Sequence, residues 1–263
     1  MSTIGIVESL WRYPVKSMRG EQLDELFASY AGVYGDRLFA FESSAGRKGF
    51  PFFTGREQRQ MIRYRPHFRN PNKAAHPVDL ADAESLPPGV NPLSAHPTEL
   101  MIDVETPDRK TIAIDDPALI DNLRANIDGK HELKLLRSDK AITDCRPLSI
   151  FALQSAKKLG EETGTNVDKR RFRANVYVDL TNAAGFAEDQ FVGKTLRIGS
   201  KVVVSVLERD PRCMMITLDP DTAEKTPAIL KQVAQAHEGM AGVYGAVLME
   251  GMIRKGDSVE LID

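Results

Sequence analysis

Short runs of β-branched and aromatic residues, each followed by a turn signal, recur along this chain and restrict the folds that it can adopt. We interpret nine runs as strands, at residues 3–15, 32–41, 100–104, 111–114, 174–180, 195–198, 201–207, 243–250 and 258–262. Helical patterns are fewer, at residues 117–127, 155–163 and 227–237. This pattern predicts an α+β protein that is mostly β, with two closely packed β-barrel-like modules decorated by a few helices.

The two predicted modules span residues 1–115 and 116–263. A proline-rich insertion interrupts the first module at about residues 66–97, where seven of the 15 prolines of the chain lie. Loops of this length are uncommon in compact domains, and most are lids, binding loops or disordered insertions. Disorder and an ordered binding loop both remain open for this stretch.

The charge pattern argues against nucleic acid as a partner. The formal net charge is −2, and the 35 basic residues are spread along the chain. Non-specific binding to nucleic acid needs a concentrated basic surface instead. No apolar run approaches the roughly 18 residues that cross a bilayer, and residues 1–10 lack the pattern of a signal peptide. We therefore expect a cytoplasmic protein with no membrane partner.

The cysteines and histidines limit the metal chemistry that the chain can support. Two cysteines, Cys145 and Cys213, are too few for a disulfide framework or for an iron–sulfur cluster held by four thiolates. Electrons for a redox reaction would therefore come from another molecule. The five histidines show no zinc-binding spacing, so a zinc site has little support.

Cys213 is the strongest candidate for a reactive side chain. It lies directly after a predicted strand, among turn-forming residues and beside Arg209 and Arg212. Nearby guanidinium groups favour a thiolate over a thiol, and a thiolate is the form that binds a metal. The alternative is an ordinary small side chain buried in the core.

Cations near predicted strand ends suggest an anionic ligand. Lys16 follows the first strand with Ser17, Arg37 lies before the second, and a basic cluster occupies residues 169–173. Guanidinium groups can hold a phosphate through two parallel hydrogen bonds. Arg173 and Asn175 alternate at a strand entrance, so we expect them to face the same side. The alternative is a set of solvated surface charges.

Seven motifs occur in an order that resembles a known family. The first half contains Tyr-Pro-Val-Lys-Ser at 13–17, Gly-Asp-Arg at 35–37 and Thr-Gly-Arg-Glu at 54–57. The second half contains Thr-Asp-Cys-Arg-Pro at 143–147, Arg-Phe-Arg-Ala-Asn at 171–175, Arg-Cys at 212–213 before Thr-Leu-Asp-Pro-Asp-Thr at 217–222, and Val-Tyr-Gly at 243–245. This order resembles the MOSC family, named for the C-terminal domain of molybdenum cofactor sulfurase, with its N-terminal β-barrel domain.

The resemblance implies a molybdenum cofactor, Mo-molybdopterin, and a role for each matching residue. Cys213 would ligate molybdenum, and Asp144 would lie near the metal as a catalytic residue. The residues implied to contact the cofactor are Lys16, Ser17, Arg37, Cys145, Phe172, Arg173, Asn175, Arg212 and Tyr244. A dianionic phosphate needs several cations and the pterin needs polar partners, so this set is chemically coherent.

The family also includes mitochondrial amidoxime-reducing components and bacterial reductases of N-hydroxylated bases. By resemblance, the chain would reduce small N-hydroxylated substrates by two-electron oxygen transfer to Mo(IV). A separate redox partner, a flavoprotein, a ferredoxin or a haem protein, would supply the electrons. One alternative is a carrier or insertion protein that holds molybdopterin or a persulfide without turnover. Another is a cofactor-free barrel in which Cys213 is a core residue.

Two features depart from the family pattern. Cys145 stands where relatives commonly have a small hydroxyl residue, which would replace a hydroxyl hydrogen bond with a weaker thiol contact. The proline-rich stretch also exceeds the length that the family needs. We therefore hypothesise that it borders the substrate opening and narrows the range of substrates.

Overall fold

The computed structural model describes residues 2–87, 95–125, 127, 129 and 131–262. Its strands are β1 (Ser2–Arg12), β2 (Glu21–Leu23), β3 (Glu25–Ser29), β4 (Gly32–Val33), β5 (Phe39–Arg47), β6 (Phe50–Phe53), β7 (Arg65–Phe68), β8 (Ile102–Glu105), β9 (Thr111–Ala113), β10 (Leu133–Arg137), β11 (Leu148–Ala152), β12 (Val176–Leu180), β13 (Thr195–Ile198), β14 (Val202–Pro211), β15 (Met240–Met249), β16 (Gly251–Arg254) and β17 (Ser258–Leu261). The α-helices are α1 (Pro71–Ala75), α2 (Leu80–Ser85), α3 (Pro117–Arg124), α4 (Leu153–Thr163) and α5 (Pro227–Ala236).

A closed β-barrel forms the centre of the molecule. Its strands follow the order β12, β11, β15, β14, β13, β17 and β1, and β1 pairs back to β12. Closure leaves no exposed strand edge in this ring. Side chains alternate along the strands, so Val202, Val204 and Val206 of β14 are fully buried in the barrel interior. The predicted α+β class with mostly β structure is confirmed.

Three small sheets accompany the barrel. Each has three strands, in the orders β10-β5-β6, β16-β3-β4 and β7-β8-β9. Their buried aromatic residues, including Phe27, Phe39, Phe41 and Phe53, pack in a hydrophobic core separate from the barrel interior. Strand β1 belongs to the barrel, although it comes from the N-terminal half, whereas β10 pairs with β5. The predicted module boundary at residue 115 therefore stays a prediction, and strand pairing crosses it.

The proline-rich stretch is ordered where the structure describes it, so the disorder interpretation is wrong for these parts. It contains β7, α1 and α2, and Ala74 and Ala83 are buried against the hydrophobic core of the small sheets. Pro71 occupies the first helical position of α1, where proline costs no hydrogen bond. The Asp79 side chain caps α2 by accepting a hydrogen bond from the Asp82 amide, at 3.1 Å. Residues 88–94 lie outside the described part.

The three predicted helices are present, although α3 ends at Arg124 instead of residue 127 and the Thr226 side chain does not cap α5. Asp116 caps α3, since its side chain accepts a hydrogen bond from the Ala118 amide at 2.9 Å. Helix α4 ends at Gly164, whose φ of 65° is left-handed. Pro227 opens α5 directly after Thr226. None of the described helices is long and apolar enough to cross a membrane.

Candidate functional site

An open cleft of about 780 Å³, counting the space at its mouth, lies beside the barrel. Its walls come from the segment after β1, the β5–β6 hairpin with the turn that follows it, and the ends of β14 and β15. Ten of the residues predicted for the site line it: Lys16, Ser17, Arg37, Asp144, Phe172, Arg173, Asn175, Arg212, Cys213 and Tyr244.

Cys145 is the predicted residue that the structure places elsewhere. Its side chain is exposed, and it is absent from the described lining of the cleft. Burial and the neighbouring carboxylate of Asp144 raise the pKa of the Cys145 thiol. The family-based prediction of a cofactor contact at this position therefore gains no support from the geometry.

Cys213 reaches the cleft at the end of β14. The register between β14 and β15 shifts between Arg209 and Pro211, and such bulges turn the following residues away from the regular ladder. A short 3₁₀ turn, Met214–Thr217, begins directly after Cys213. The thiol is partly exposed and lines the cleft, so the alternative of a fully buried core cysteine does not hold.

The turn at residues 54–57 packs directly over the segment that carries the thiol. A Cβ atom on Gly55 would lie 2.7 Å from the Met215 sulfur, so a larger residue here would displace the end of the Met215 side chain. Glu57 fixes the turn, because its carboxylate accepts hydrogen bonds of 2.8 Å from both the amide and the hydroxyl of Thr54. The Arg56 guanidinium lies over the Phe50 ring, 4.8 Å from its centroid, and lines the cleft together with Cys213. The sequence analysis missed Arg56 as a site residue.

Lys16 and Asp144 form an ion pair in the wall of the cleft. The Lys16 ammonium also donates to the Ile142 carbonyl at 3.0 Å and faces the Phe52 ring at 4.9 Å. Burial lowers the pKa of Lys16, and the attraction of Asp144 offsets only part of this effect. Burial would raise the pKa of Asp144, but Lys16 and Arg37 outweigh it and lower the pKa. The surrounding cations therefore favour the charged form of Asp144.

Two guanidinium groups converge on the ring of Tyr13. Arg37 lies 4.5 Å and Arg173 lies 4.4 Å from the ring centroid. Arg37 pairs with Asp36 at 2.5 Å and donates to the Arg173 carbonyl at 2.9 Å. Among the described residues, no carboxylate pairs with Arg173, and burial lowers its pKa to about 10. Arg173 therefore provides a positive charge that the protein itself does not neutralise.

Ser17, Arg37 and Arg173 share a strained backbone conformation. Their φ angles are 65°, 42° and 54°, in the left-handed region that non-glycine residues rarely adopt. Strain of this kind persists where surrounding contacts enforce it, and it concentrates at ligand-binding sites. The predicted alternation of Arg173 with Asn175 along a strand is wrong, because Arg173 ends a 3₁₀ turn and β12 begins only at Val176. Both residues line the cleft nevertheless.

Most of the remaining basic cluster at residues 169–173 is paired within the protein. Lys169 forms an ion pair with Glu8, and Arg170 forms ion pairs with Asp168 and Asp221. Arg171 lines the cleft, but its guanidinium donates to the Thr217 carbonyl at 2.8 Å and to Asp219 at 3.2 Å. The cluster therefore contributes one unpaired cation to the cleft, Arg173.

Three predicted site residues support the walls of the cleft through contacts within the protein. Asn175 accepts a hydrogen bond from the Ser149 amide at 3.4 Å and donates to the Trp11 carbonyl at 3.2 Å. The Phe172 ring stacks on Phe151 with centroids 4.1 Å apart. The Arg212 guanidinium donates to the carbonyls of Ala241 at 2.6 Å and Phe172 at 2.8 Å. These contacts link the loop before β12 to the ends of β14 and β15.

Asp210 is a second cleft residue that the sequence analysis missed. It lies three positions before Cys213 and pairs with Arg212 at 2.7 Å. Burial raises its pKa to about 6, whereas Arg212 and a hydrogen bond from Tyr244 lower it. The Ser149 hydroxyl also donates to it at 3.3 Å. Burial, together with the charge of Asp210, raises the pKa of Tyr244, so its hydroxyl stays a donor at neutral pH.

The proline-rich stretch takes no part in the described lining of the cleft. Its residues Pro77, Ala83 and Ala95 border a different pocket, which Tyr34 and Glu250 also line. The hypothesis that this stretch borders the substrate opening is therefore wrong for the residues that the structure describes. The β5–β6 hairpin and the turn after it border the cleft mouth instead.

The donor set suits one class of metal group. The described residues contain no cluster of three or more His, Cys, Asp or Glu side chains that could hold a metal ion. One thiol, several cations and polar groups in one cleft instead match a metal that an anionic organic cofactor carries. The residues present therefore fit a molybdenum cofactor with Cys213 as the single protein ligand.

Known proteins resemble this chain in sequence and in structure. Mitochondrial amidoxime reducing component 2 of Bos taurus is 24% identical, over 84% of this chain and 69% of that protein. The protein of the same name from Macaca fascicularis is 25% identical, over 98% of this chain and 84% of that protein. Among solved structures, the YUAD protein from Bacillus subtilis is 14% identical with a TM-score of 0.48, over 98% of this chain and 94% of that one. YiiM from Geobacillus stearothermophilus is 21% identical with a TM-score of 0.36, over 45% and 55%.

Two family models cover almost the whole sequence. The MOSC N-terminal beta barrel domain matches residues 4–146, and the MOSC domain matches residues 137–260. The resemblance that the motifs indicated is therefore confirmed. Since the first model alone covers more than half of the chain, the protein belongs to the family that joins a MOSC N-terminal beta barrel domain to a MOSC domain.

Proposed function

We propose that this protein is a molybdenum-cofactor-dependent oxidoreductase that reduces N-hydroxylated compounds. One observation carries the proposal: the same cleft contains the Cys213 thiol and the unpaired Arg173 guanidinium, together with Lys16 and Arg37. Desolvated cations without protein partners are costly, so their presence indicates an anionic ligand. The names of the relatives, amidoxime reducing components, support the reductase activity.

Different residues of the cleft would bind different parts of the cofactor. The three left-handed residues Ser17, Arg37 and Arg173 would hold the phosphate of the cofactor through hydroxyl and guanidinium donors. Cys213 would provide the thiolate ligand to the metal.

When bound, the cofactor would supply two-electron chemistry at a metal centre that accepts oxygen from a substrate. Each turnover would consume two electrons and two protons, break the N–O bond, and release the reduced nitrogen compound and water. The described cleft offers no acid aligned for proton delivery, so we assign the protons to water. The electrons would come from a separate redox partner, a flavoprotein, a ferredoxin or a haem protein.

Turnover of benzamidoxime and N-hydroxycytosine by the molybdenum-loaded protein, with reduced methyl viologen as donor, tests this function. We expect oxidation of the viologen that depends on substrate, with two electrons consumed per amidine or cytosine formed. Protein that holds molybdenum but shows no substrate-dependent oxidation would instead be a carrier or insertion protein. This result would overturn the proposed reductase.

A further inference from the structure

The segment that supplies Phe50, Thr54 and Arg56 to the cleft is basic, although the protein as a whole is slightly acidic. Residues 47–63 contain five basic side chains and one acidic one. Arg47, Lys48, Arg56 and Arg59 are exposed, and none of them pairs with a carboxylate in the described part of the chain. The only acid of this segment, Glu57, accepts hydrogen bonds from the amide and the hydroxyl of Thr54. The local field at the mouth therefore attracts anions.

Arg56 is the member of this basic segment that lines the cleft. Apart from Arg173, the other cleft arginines have carboxylate partners within the protein. For example, Arg37 pairs with Asp36, and Arg146 pairs with Glu208 at 2.7 Å. Within the described residues, the Arg56 guanidinium forms no ion pair, and its ring contact is with Phe50 at 4.8 Å. A guanidinium has five N–H donors, so most of its donors remain available to a ligand.

The position of Arg56 separates it from the cations assigned to the cofactor phosphate. Arg37 and Arg173 meet at the buried ring of Tyr13, whereas Arg56 lies beside Cys213 at the exposed end of the cleft. Since the metal would be held at Cys213, the substrate must approach this same end. Arg56 is therefore placed next to the substrate.

The geometry of Arg56 is fixed before any ligand arrives. Its guanidinium plane stacks on Phe50, and the turn that carries it is held by the Thr54–Glu57 hydrogen bonds and by the contact of Gly55 with Met215. Preorganised donors lose little entropy on binding and recognise planar carboxylate or phosphate groups well.

We propose that Arg56 selects N-hydroxylated substrates that also carry an anionic group, a carboxylate or a phosphate. This inference rests on the proposed function and defines its substrate class. Arg56 acts as a specificity-determining residue through a charge-assisted hydrogen bond to the substrate. The exposed cations around it raise the local concentration of such substrates.

Paired substrates that differ in charge test this inference. Benzamidoxime is compared with 4-carboxybenzamidoxime, and N-hydroxycytidine with its 5′-monophosphate, using reduced methyl viologen as donor. We expect wild type to prefer the anionic member of at least one pair in kcat/KM, and Arg56→Gln to lower that preference about 10- to 100-fold, mostly through KM. The pair that responds distinguishes a carboxylate from a phosphate. Arg56→Glu should reverse the preference.

Arg59→Gln is the matched control, because Arg59 is also exposed and unpaired among the described residues but does not line the cleft. It should change the preference less than twofold at 0.15 M salt. An unchanged preference in Arg56→Gln, with turnover of all four substrates, would overturn the inference and leave the proposed function standing. An equal loss for neutral and anionic substrates would also overturn it. No turnover of any substrate by molybdenum-loaded wild type would refute the proposed function itself.

Discussion

Replacing Arg173 with glutamine should stabilise the cofactor-free protein and weaken its binding of anions. The fall in the Arg173 pKa from 12.5 to about 10 corresponds to about 3.4 kcal/mol against the charged form. Water in the open cleft reduces this cost to roughly half. The variant also loses the contact of the guanidinium with the Tyr13 ring, which costs about 1 kcal/mol of stability. The net expectation is a gain of about 0.5–1 kcal/mol in the free energy of unfolding at pH 7.

The stabilisation expected for Arg173→Gln depends on pH. The guanidinium is charged in both folded and unfolded states below pH 10, so its burial cost is fully present at neutral pH. The cost is relieved as the pH rises through about 10. The advantage of Arg173→Gln should therefore shrink in alkaline buffer.

Urea denaturation of protein from a host that lacks the cofactor measures this effect, with Arg171→Gln as the control. That arginine donates to the Thr217 carbonyl at 2.8 Å and to Asp219 at 3.2 Å, so its loss should cost about 1–3 kcal/mol. Added inorganic phosphate should stabilise wild type more than Arg173→Gln. If the two variants lose similar stability, and phosphate acts equally on wild type and Arg173→Gln, Arg173 has a structural role and the reasoning fails.

Two further predictions concern the framework of the cleft and the barrel. Glu188 is buried and accepts hydrogen bonds of 2.7 Å from the Ser155 hydroxyl. Burial raises its pKa from 4.5 to about 7. Protonation of Glu188 therefore stabilises the folded state. The free energy of unfolding is measured at pH 5 and at pH 8 for wild type and Glu188→Gln. From pH 5 to pH 8, that of wild type should fall by about 2.5 kcal/mol more than that of Glu188→Gln. Equal falls in the two proteins would contradict this assignment. A Cβ atom on Gly242, with φ of 81°, would lie 2.9 Å from Phe151, whereas one on Gly239 meets nothing within 4 Å. Gly242→Ala should therefore lower the free energy of unfolding by about 1–2 kcal/mol more than Gly239→Ala, and equal losses would argue against the close packing.

Elements with clear periodicity or capping signals were predictable from the sequence. Strand β13 and helix α4 match the predicted positions closely, because β-branched alternation defines the first and Gly164 terminates the second. Strand β11 was missed because all five of its residues are buried, so it shows no alternation. Strand β6 was missed because Pro51 argues against a strand unless it lies at a sheet edge, which is where β6 lies.

The site was predictable where motif order carried the information. The thiol of Cys213 and the cations Lys16, Arg37 and Arg173 do meet in one cleft, although they come from distant parts of the chain. Arg56 could not be identified as a site residue from the sequence. Its place in the site depends on the packing of its turn against the segment that carries Cys213, which the sequence does not show. Asp210 was missed for a similar reason, since its burial depends on strands that the local sequence does not identify.

Molybdenum content tests the central claim most directly. Wild type and Cys213→Ser are expressed in parallel in a host that makes the cofactor, and molybdenum per chain is measured by elemental analysis together with the pterin. We predict close to one molybdenum per wild-type chain, with loss of the metal or an altered electronic spectrum in Cys213→Ser. Absence of both molybdenum and pterin from the wild-type protein, in a host shown to load another molybdenum enzyme, would contradict the account.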